Sequence, residues 1–197
     1  MKKGKPISKK LNRKFYNRPT VQVAKELLGK YLVVQKDGYN LSGKIVETEA
    51  YIGFKDPASH AYRGMTPRNM VMFGDPGYAY VYITYGIHHC LNLVTEKKGY
   101  PAAVLIRALD PTDGIGLMMK RRERQSLKDL TSGPAKLCQA LNVDRKVNGA
   151  DLYSDVIYVE DRGDEVQKIA SSSRIGIKEG KEKRWRFYIK NSEFVSR

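Results

Sequence analysis

The sequence predicts an α+β domain, a mixed and largely antiparallel sheet flanked by several helices. Three observations predict it. Short runs with the two-residue alternation of strands recur along the whole chain, separated by turn residues. Helix-start signals fall between them, at Pro19-Thr20, Asp110-Pro111-Thr112-Asp113 and Thr131-Ser132-Gly133-Pro134. No internal repeat and no break in composition marks a second domain, and 197 residues are one domain's length.

In chain order, residues 1–14 carry seven Lys or Arg. They read as a mobile basic arm, suited either to tracking phosphates or simply to solubility. Pro19-Thr20 opens a helix over 21–28 that Gly29 stops. A strand over 31–35, a turn at Asp37-Gly38 and a longer strand over 41–51 follow. Residues 53–73 are rich in Gly, Pro, Asp and Arg without periodicity, and a loop that long inside a compact domain is usually functional. Next comes Gly77-Tyr-Ala-Tyr-Val-Tyr-Ile-Thr-Tyr-Gly86. Its alternation puts Tyr78, Tyr80 and Tyr82 on one strand face and Ala79, Val81 and Ile83 on the other. Thr84-Tyr85-Gly86 turns the chain into a second strand over 87–94, a hairpin with Tyr85 exposed at its tip. Residues 101–109 read as a buried central strand, and Asp110 to Asp113 as the cap of a helix reaching about Arg122. A Ser or Thr cap with Pro134 in the first turn starts a helix over 135–141, whose free N–H groups and Lys136 suit a phosphate. Strands are expected over 156–160, 173–177 and 186–189.

Charge narrows the function. Thirty-six Lys+Arg against 21 Asp+Glu leave +15, an excess that points to a polyanion, most often nucleic acid. The chain lacks the long apolar run of a membrane span and the apolar core of a signal peptide, so the expected setting is the cytoplasm, with the DNA. Cys90 and Cys138 are far apart in sequence and expected to be reduced and buried. Adjacent His88, His89 and Cys90 point to alternating faces, and no zinc-type spacing occurs, so no metal is expected.

The acidic residues carry the chemistry. In Val46-Glu-Thr-Glu-Ala-Tyr51, alternation sets Glu47, Glu49 and Tyr51 on one face, as either an acid/base pair or a charged edge. Arg107 stands alone in an apolar strand and needs a carboxylate partner, for which Glu49 is the candidate.

Taken together these segments resemble the alkyladenine (methylpurine) DNA glycosylases. The resemblance rests on Val46 to Tyr51, His60, Thr66-Pro-Arg-Asn69, Tyr80 to Gly86, Cys90 with Asn92, Leu105-Ile-Arg-Ala-Leu109, Ser132-Gly-Pro134 and Arg186-Phe-Tyr188, in the family's order over residues 15–197. It implies a curved, mainly antiparallel sheet with a protruding β-hairpin, and a monomer acting on damaged double-stranded DNA. It further implies excision of damaged purines with neither metal nor organic cofactor. Glu49 would be the general base, with Arg107 and the backbone carbonyl of Ile175 holding the attacking water. Tyr51 and His60 would cover one face of an extruded base and Tyr82 the other, while the His60 N–H reads its edge. Asn92 would crowd the exocyclic amine of normal guanine, and Tyr85 would wedge into the gap left in the duplex. Ile87, His88, Thr66, Arg68, Lys136 and Gly176 are the expected further DNA contacts. Ile87 and His88 depart from the methionine and tyrosine found beside the wedge in relatives. Two other classes compete: a non-catalytic basic nucleic-acid-binding protein, and a carbohydrate hydrolase using Glu47 and Glu49. Neutral sugars, however, do not call for so basic a chain.

Overall fold

A computed structural model describes residues 8–36, 38–166 and 168–196. Its elements are β1 (Lys9–Lys10), α1 (Arg13–Tyr16), α2 (Thr20–Glu26), β2 (Tyr31–Lys36), β3 (Tyr39–Ile52), β4 (Ala79–Thr84), β5 (His88–Val94) and β6 (Ala102–Asp113). They continue with α3 (Ile115–Arg122), α4 (Leu127–Leu130), α5 (Pro134–Leu141), β7 (Ile157–Asp161), β8 (Ile169–Ser172) and β9 (Arg186–Ile189). The fold is α+β, one open antiparallel sheet in the order β1-β7-β2-β3-β6-β5-β4, with β9 pairing both β3 and β8. Of the expected basic arm, residues 1–7 lie outside the described residues, while Lys9 and Lys10 pair with Asp161 and Glu160 of β7.

Strand β3 organises the sheet. It pairs with β2, with β6 and, in its second half, with β9. A strand so surrounded cannot leave both faces polar. On one face Thr48 donates to the carbonyl of Ala24 in α2 at 2.8 Å, and Ala50 joins the main apolar core. The other face carries Glu47, Glu49 and Tyr51, as alternation requires. The β3–β6 register shifts on both sides of Glu47: Ile45 faces Leu109, Glu47 faces Ala108, and Thr48 faces Ile106. Val46 is therefore an extra residue on β3, and Arg107 an extra residue on β6. Bulges of this kind re-aim side chains, and this pair turns Arg107 toward the carboxylates of β3.

Strands β4 and β5 form the expected hairpin, Thr84 opposite His88. Ala79 and Val81 enter the main core, whereas Tyr80 packs in a second cluster with Ala61, Met72, Val94 and Ala103, flanked by Tyr78 and Tyr82. The long loop of residues 53–73 is thus anchored through Ala61 and Met72, with 3-10 turns at Gly53–Lys55 and Met70–Phe73.

Three expectations are corrected. Asp110 to Asp113 do not cap a helix. They prolong β6 along β3, because Asp113 is taken by Ser42 and Arg162, and the N-cap falls on Gly114 at φ +77°. Residues 173–177 form no strand. The edge strand is β8, and beyond it Arg174 and the Ile175 N–H turn inward to carboxylates instead of a ladder. The cap of α5 is Gly133, without a side-chain bond, in place of Ser or Thr. Cys90 and Cys138 are both free and buried.

Candidate active site

Glu49 is wholly buried, yet its carboxylate is well supplied with donors. The Ile175 N–H donates to Oε1 at 2.7 Å and the Tyr51 hydroxyl to Oε2 at 2.8 Å. Arg107 Nη1 stands 3.4 Å from Oε2. An ionised carboxylate has about four lone-pair sites, so these three donors leave room for about one more, the size of a water's claim. Burial pushes the Glu49 carboxyl above its ordinary value. Arg107, the Ile175 amide and the Tyr51 hydroxyl pull the other way without cancelling it. Arg107 itself is raised: burial acts to lower it, and the charges of Glu49 and Glu47 outweigh that.

The expected Arg107–Glu49 pairing is only half of the arrangement. The shorter contact runs from Arg107 Nε to Glu47 Oε1 at 2.9 Å. Glu47 also accepts from Arg186 Nε at 2.7 Å, and from the Ser196 hydroxyl and N–H at 2.8 and 2.6 Å. Four donors thus converge on this buried carboxylate, three of them on Oε1. It holds Arg107 and Arg186 in place.

In front of Glu49 lies a cavity of about 530 Å³. Tyr51, His60, Arg68, Tyr82, Tyr85, Asn92, Arg107, Ile175 and Gly176, all singled out in the sequence, line it. Tyr51, Arg107 and Ile175 stand between the cavity and the carboxylate. The His60 and Tyr82 rings meet edge to face, centroids 4.5 Å apart, and His60 Nδ1 lies 3.0 Å from the Tyr80 hydroxyl. Burial of the ring, helped by the Arg68 charge, depresses His60 to about 4, so the imidazole is neutral at pH 7. Burial also raises the Tyr51 and Tyr82 hydroxyls and the Cys90 thiol, keeping all three protonated. Asn92 is buried and donates to the Tyr80 carbonyl at 3.1 Å.

Tyr85, 91% exposed, occupies the hairpin turn at φ +51°, followed by Gly86 at +75°. A left-handed non-glycine costs energy that packing does not repay at so exposed a position. Ile87 beside it is also exposed. A second cleft of about 590 Å³ shares Tyr85, Cys90 and Arg107 with the first and reaches His88 and Lys136. Lys136 Nζ lies 3.3 Å from Ser132 Oγ and 3.9 Å from Asp129. Thr66 lines neither cavity; its N–H donates to Asn69 Oδ1 at 2.7 Å.

Several members of the site escaped sequence reasoning. Asn69 Nδ2 donates to the carbonyls of His60 and Gly64, fixing the loop that carries His60. Asp56 and Arg174 form a fully buried bidentate pair at 2.5 and 2.7 Å, and the Arg174 guanidinium lies 4.6 Å from the Tyr51 ring centroid. The Thr-Pro-Arg-Asn run was a visible signal for Asn69. Nothing periodic marks Asp56 or Arg174, which meet across 118 residues. Among the described residues no group of three His, Cys, Asp or Glu side chains is placed to hold a metal ion. No helix among them is long and apolar enough to cross a membrane.

Comparison with known proteins fits this geometry. Residues 14–193 match the family model described as methylpurine-DNA glycosylase. A protein of Methanocella arvoryzae is 53% identical over 192 residues, covering 95% of this chain and 96% of its own. One from Carboxydothermus hydrogenoformans is 52% identical over 189 residues, with 95% and 98% covered. A third, from Desulfitobacterium hafniense, is 46% identical over 200 residues, with 95% and 98% covered. Each is provisionally named a 3-methyladenine DNA glycosylase.

Proposed function

The chain belongs to the methylpurine-DNA glycosylase family, and from that premise we propose that it flips damaged purines out of duplex DNA and hydrolyses their N-glycosidic bond with water. The observation that carries the reading is Glu49: a buried carboxylate with one acceptor site to spare, behind a cavity walled by Tyr51, His60 and Tyr82.

A base inside a duplex is out of reach of water, so it must be extruded at a cost of a few kcal/mol. Stacking against the cavity's rings returns about 1–3 kcal/mol per base. Tyr85 fills the gap left behind, and Ile87, His88, Thr66, Arg68, Lys136 and Gly176 hold the flanking DNA. Cleavage breaks the bond between the sugar C1′ and the purine nitrogen, and the bond's electron pair leaves with the purine. Water attacks the oxocarbenium-like C1′ while its proton passes to Glu49. Arg107 and the Ile175 carbonyl orient that water, and the Glu49 charge stabilises the cationic sugar. Asn92 excludes guanine by crowding its exocyclic amine. The products are a free base and an intact abasic site, made by a monomer without metal or cofactor, in the cytoplasm where the DNA lies.

The test is to incubate the protein with duplexes carrying a methylated, deaminated or etheno purine and to assay free base. Release from the methylated duplex is expected. No release from any of them, with tight binding retained, would leave a non-catalytic DNA binder. Borohydride trapping of a covalent protein–DNA adduct would overturn the water-nucleophile step.

A further inference from the structure

We infer that Arg174, seated on the outer face of Tyr51, is a specificity-determining residue that sets how strongly the pocket prefers a positively charged purine over a neutral one. The inference rests on the cavity being the seat of an extruded purine.

An aromatic ring attracts a cation through the negative potential of its faces. Tyr51 lines the cavity and Arg174 does not, so the guanidinium 4.6 Å from the ring centroid occupies the face turned away from the ligand. It cannot leave that face. Its side chain is fully buried, paired with both Asp56 oxygens, and also donates to the Ala50 carbonyl at 2.9 Å. A cation fixed behind the ring opposes a second cation in front of it, and does so in a medium without water to screen the field. Asp56 cancels the net charge of the pair, but the group resting on the ring is the guanidinium. The hydroxyl of Tyr51 feels the Arg174 charge accordingly. Arg68, 5.2 Å from the Tyr82 centroid, is a different case: it lines the cavity itself and is exposed, so solvent weakens its field. The Tyr51 wall of the cavity thus carries a built-in brake on charge recognition that solvent does not weaken.

Arg174 also precedes Ile175, whose N–H holds Glu49, so a purely mechanical role is the competing account. The two part company in the sign of a ratio. The measurement is kcat/KM on duplexes carrying 7-methylguanine, a cation, divided by kcat/KM on duplexes carrying hypoxanthine, which is neutral. Asp56→Asn leaves the guanidinium uncompensated and is expected to lower the ratio at least threefold. The double variant Asp56→Asn/Arg174→Gln removes both charges and leaves a neutral amide at each position, and is expected to raise it at least threefold. Arg174→Lys, which keeps the charge and loses the fork, is expected to hold the wild-type ratio. A mechanical pin slows both substrates together. Ratios moving less than threefold in the Asp56 variants, moving the same way in both of them, or shifting in Arg174→Lys as far as in the double variant, overturn the inference. Where one Asp56 variant fails to fold by thermal melting, the direction in the other decides. Wild-type protein that releases neither base would instead sink the catalytic reading itself.

Discussion

Two glutamates two positions apart on β3 have opposite fates, and their donors decide which. Glu47 takes four donors, from Arg107, Arg186 and Ser196, whereas Glu49 takes three and lies behind the residues that line the cavity. Glu49→Gln should therefore fold normally, bind a lesion duplex within a few fold of wild type, and lose base release. Single-turnover assay beside equilibrium binding separates the two. Glu47→Ala strands Arg107 and Arg186 without their buried partner. Loss of one member of a buried pair typically costs about 3–5 kcal/mol, so a large drop in the denaturation midpoint is expected. Acidity gives a third check. Glu49 must be ionised to take a proton, and its folded-state pKa lies above the ordinary carboxylate value. Activity is then lost on acidification before ordinary surface carboxylates titrate. An acid limb of kcat/KM at or below the value of a free glutamate would contradict that environment.

At the level of elements, the hairpin and the inward turn after β8 contrast in how legible they were. The alternation of residues 78–83 was enough to separate Ala79 and Val81, which enter the main core, from Tyr80 and Tyr82, which pack in the second cluster. The same logic placed Glu47, Glu49 and Tyr51 together on β3. It failed after β8, where the backbone abandons the ladder to serve Asp56 and Glu49, partners more than a hundred residues away that leave no local trace. A different signal failed at residues 110–113, where a helix-cap composition was overridden by pairing with β3. The bulge at Arg107 was invisible for the same reason, although the isolated charge in an apolar strand did signal that something met it. Tyr85 at the hairpin turn is open to direct test. Its ring is 91% exposed, so Tyr85→Ala should leave the melting temperature unchanged. A stacked aromatic contributes about 1–3 kcal/mol, so affinity for a lesion duplex should fall by a factor between about 5 and about 150. An unchanged affinity would remove the hairpin from the DNA interface.

For the whole molecule, the decisive quantity is charge. A net +15 is far more than a cavity for one purine needs, and on the proposed function most of it acts on the phosphates of the bound duplex. Three lysines line the clefts: Lys136 and Lys128 in the second, where Lys128 is paired with Glu193, and Lys178 in the first. Each phosphate neutralised releases a counterion, so log affinity falls against log salt with a slope of about −0.9 per contact. Lys136→Ala together with Lys178→Ala should make that slope shallower by roughly two contacts' worth, while weakening damaged and undamaged duplexes alike. Glu49→Gln, which touches no phosphate, should leave the slope where it was. A slope near zero in the wild-type protein would mean that the positive surface does not face DNA. The cavity and its carboxylate would then need a substrate other than a nucleotide held in a duplex.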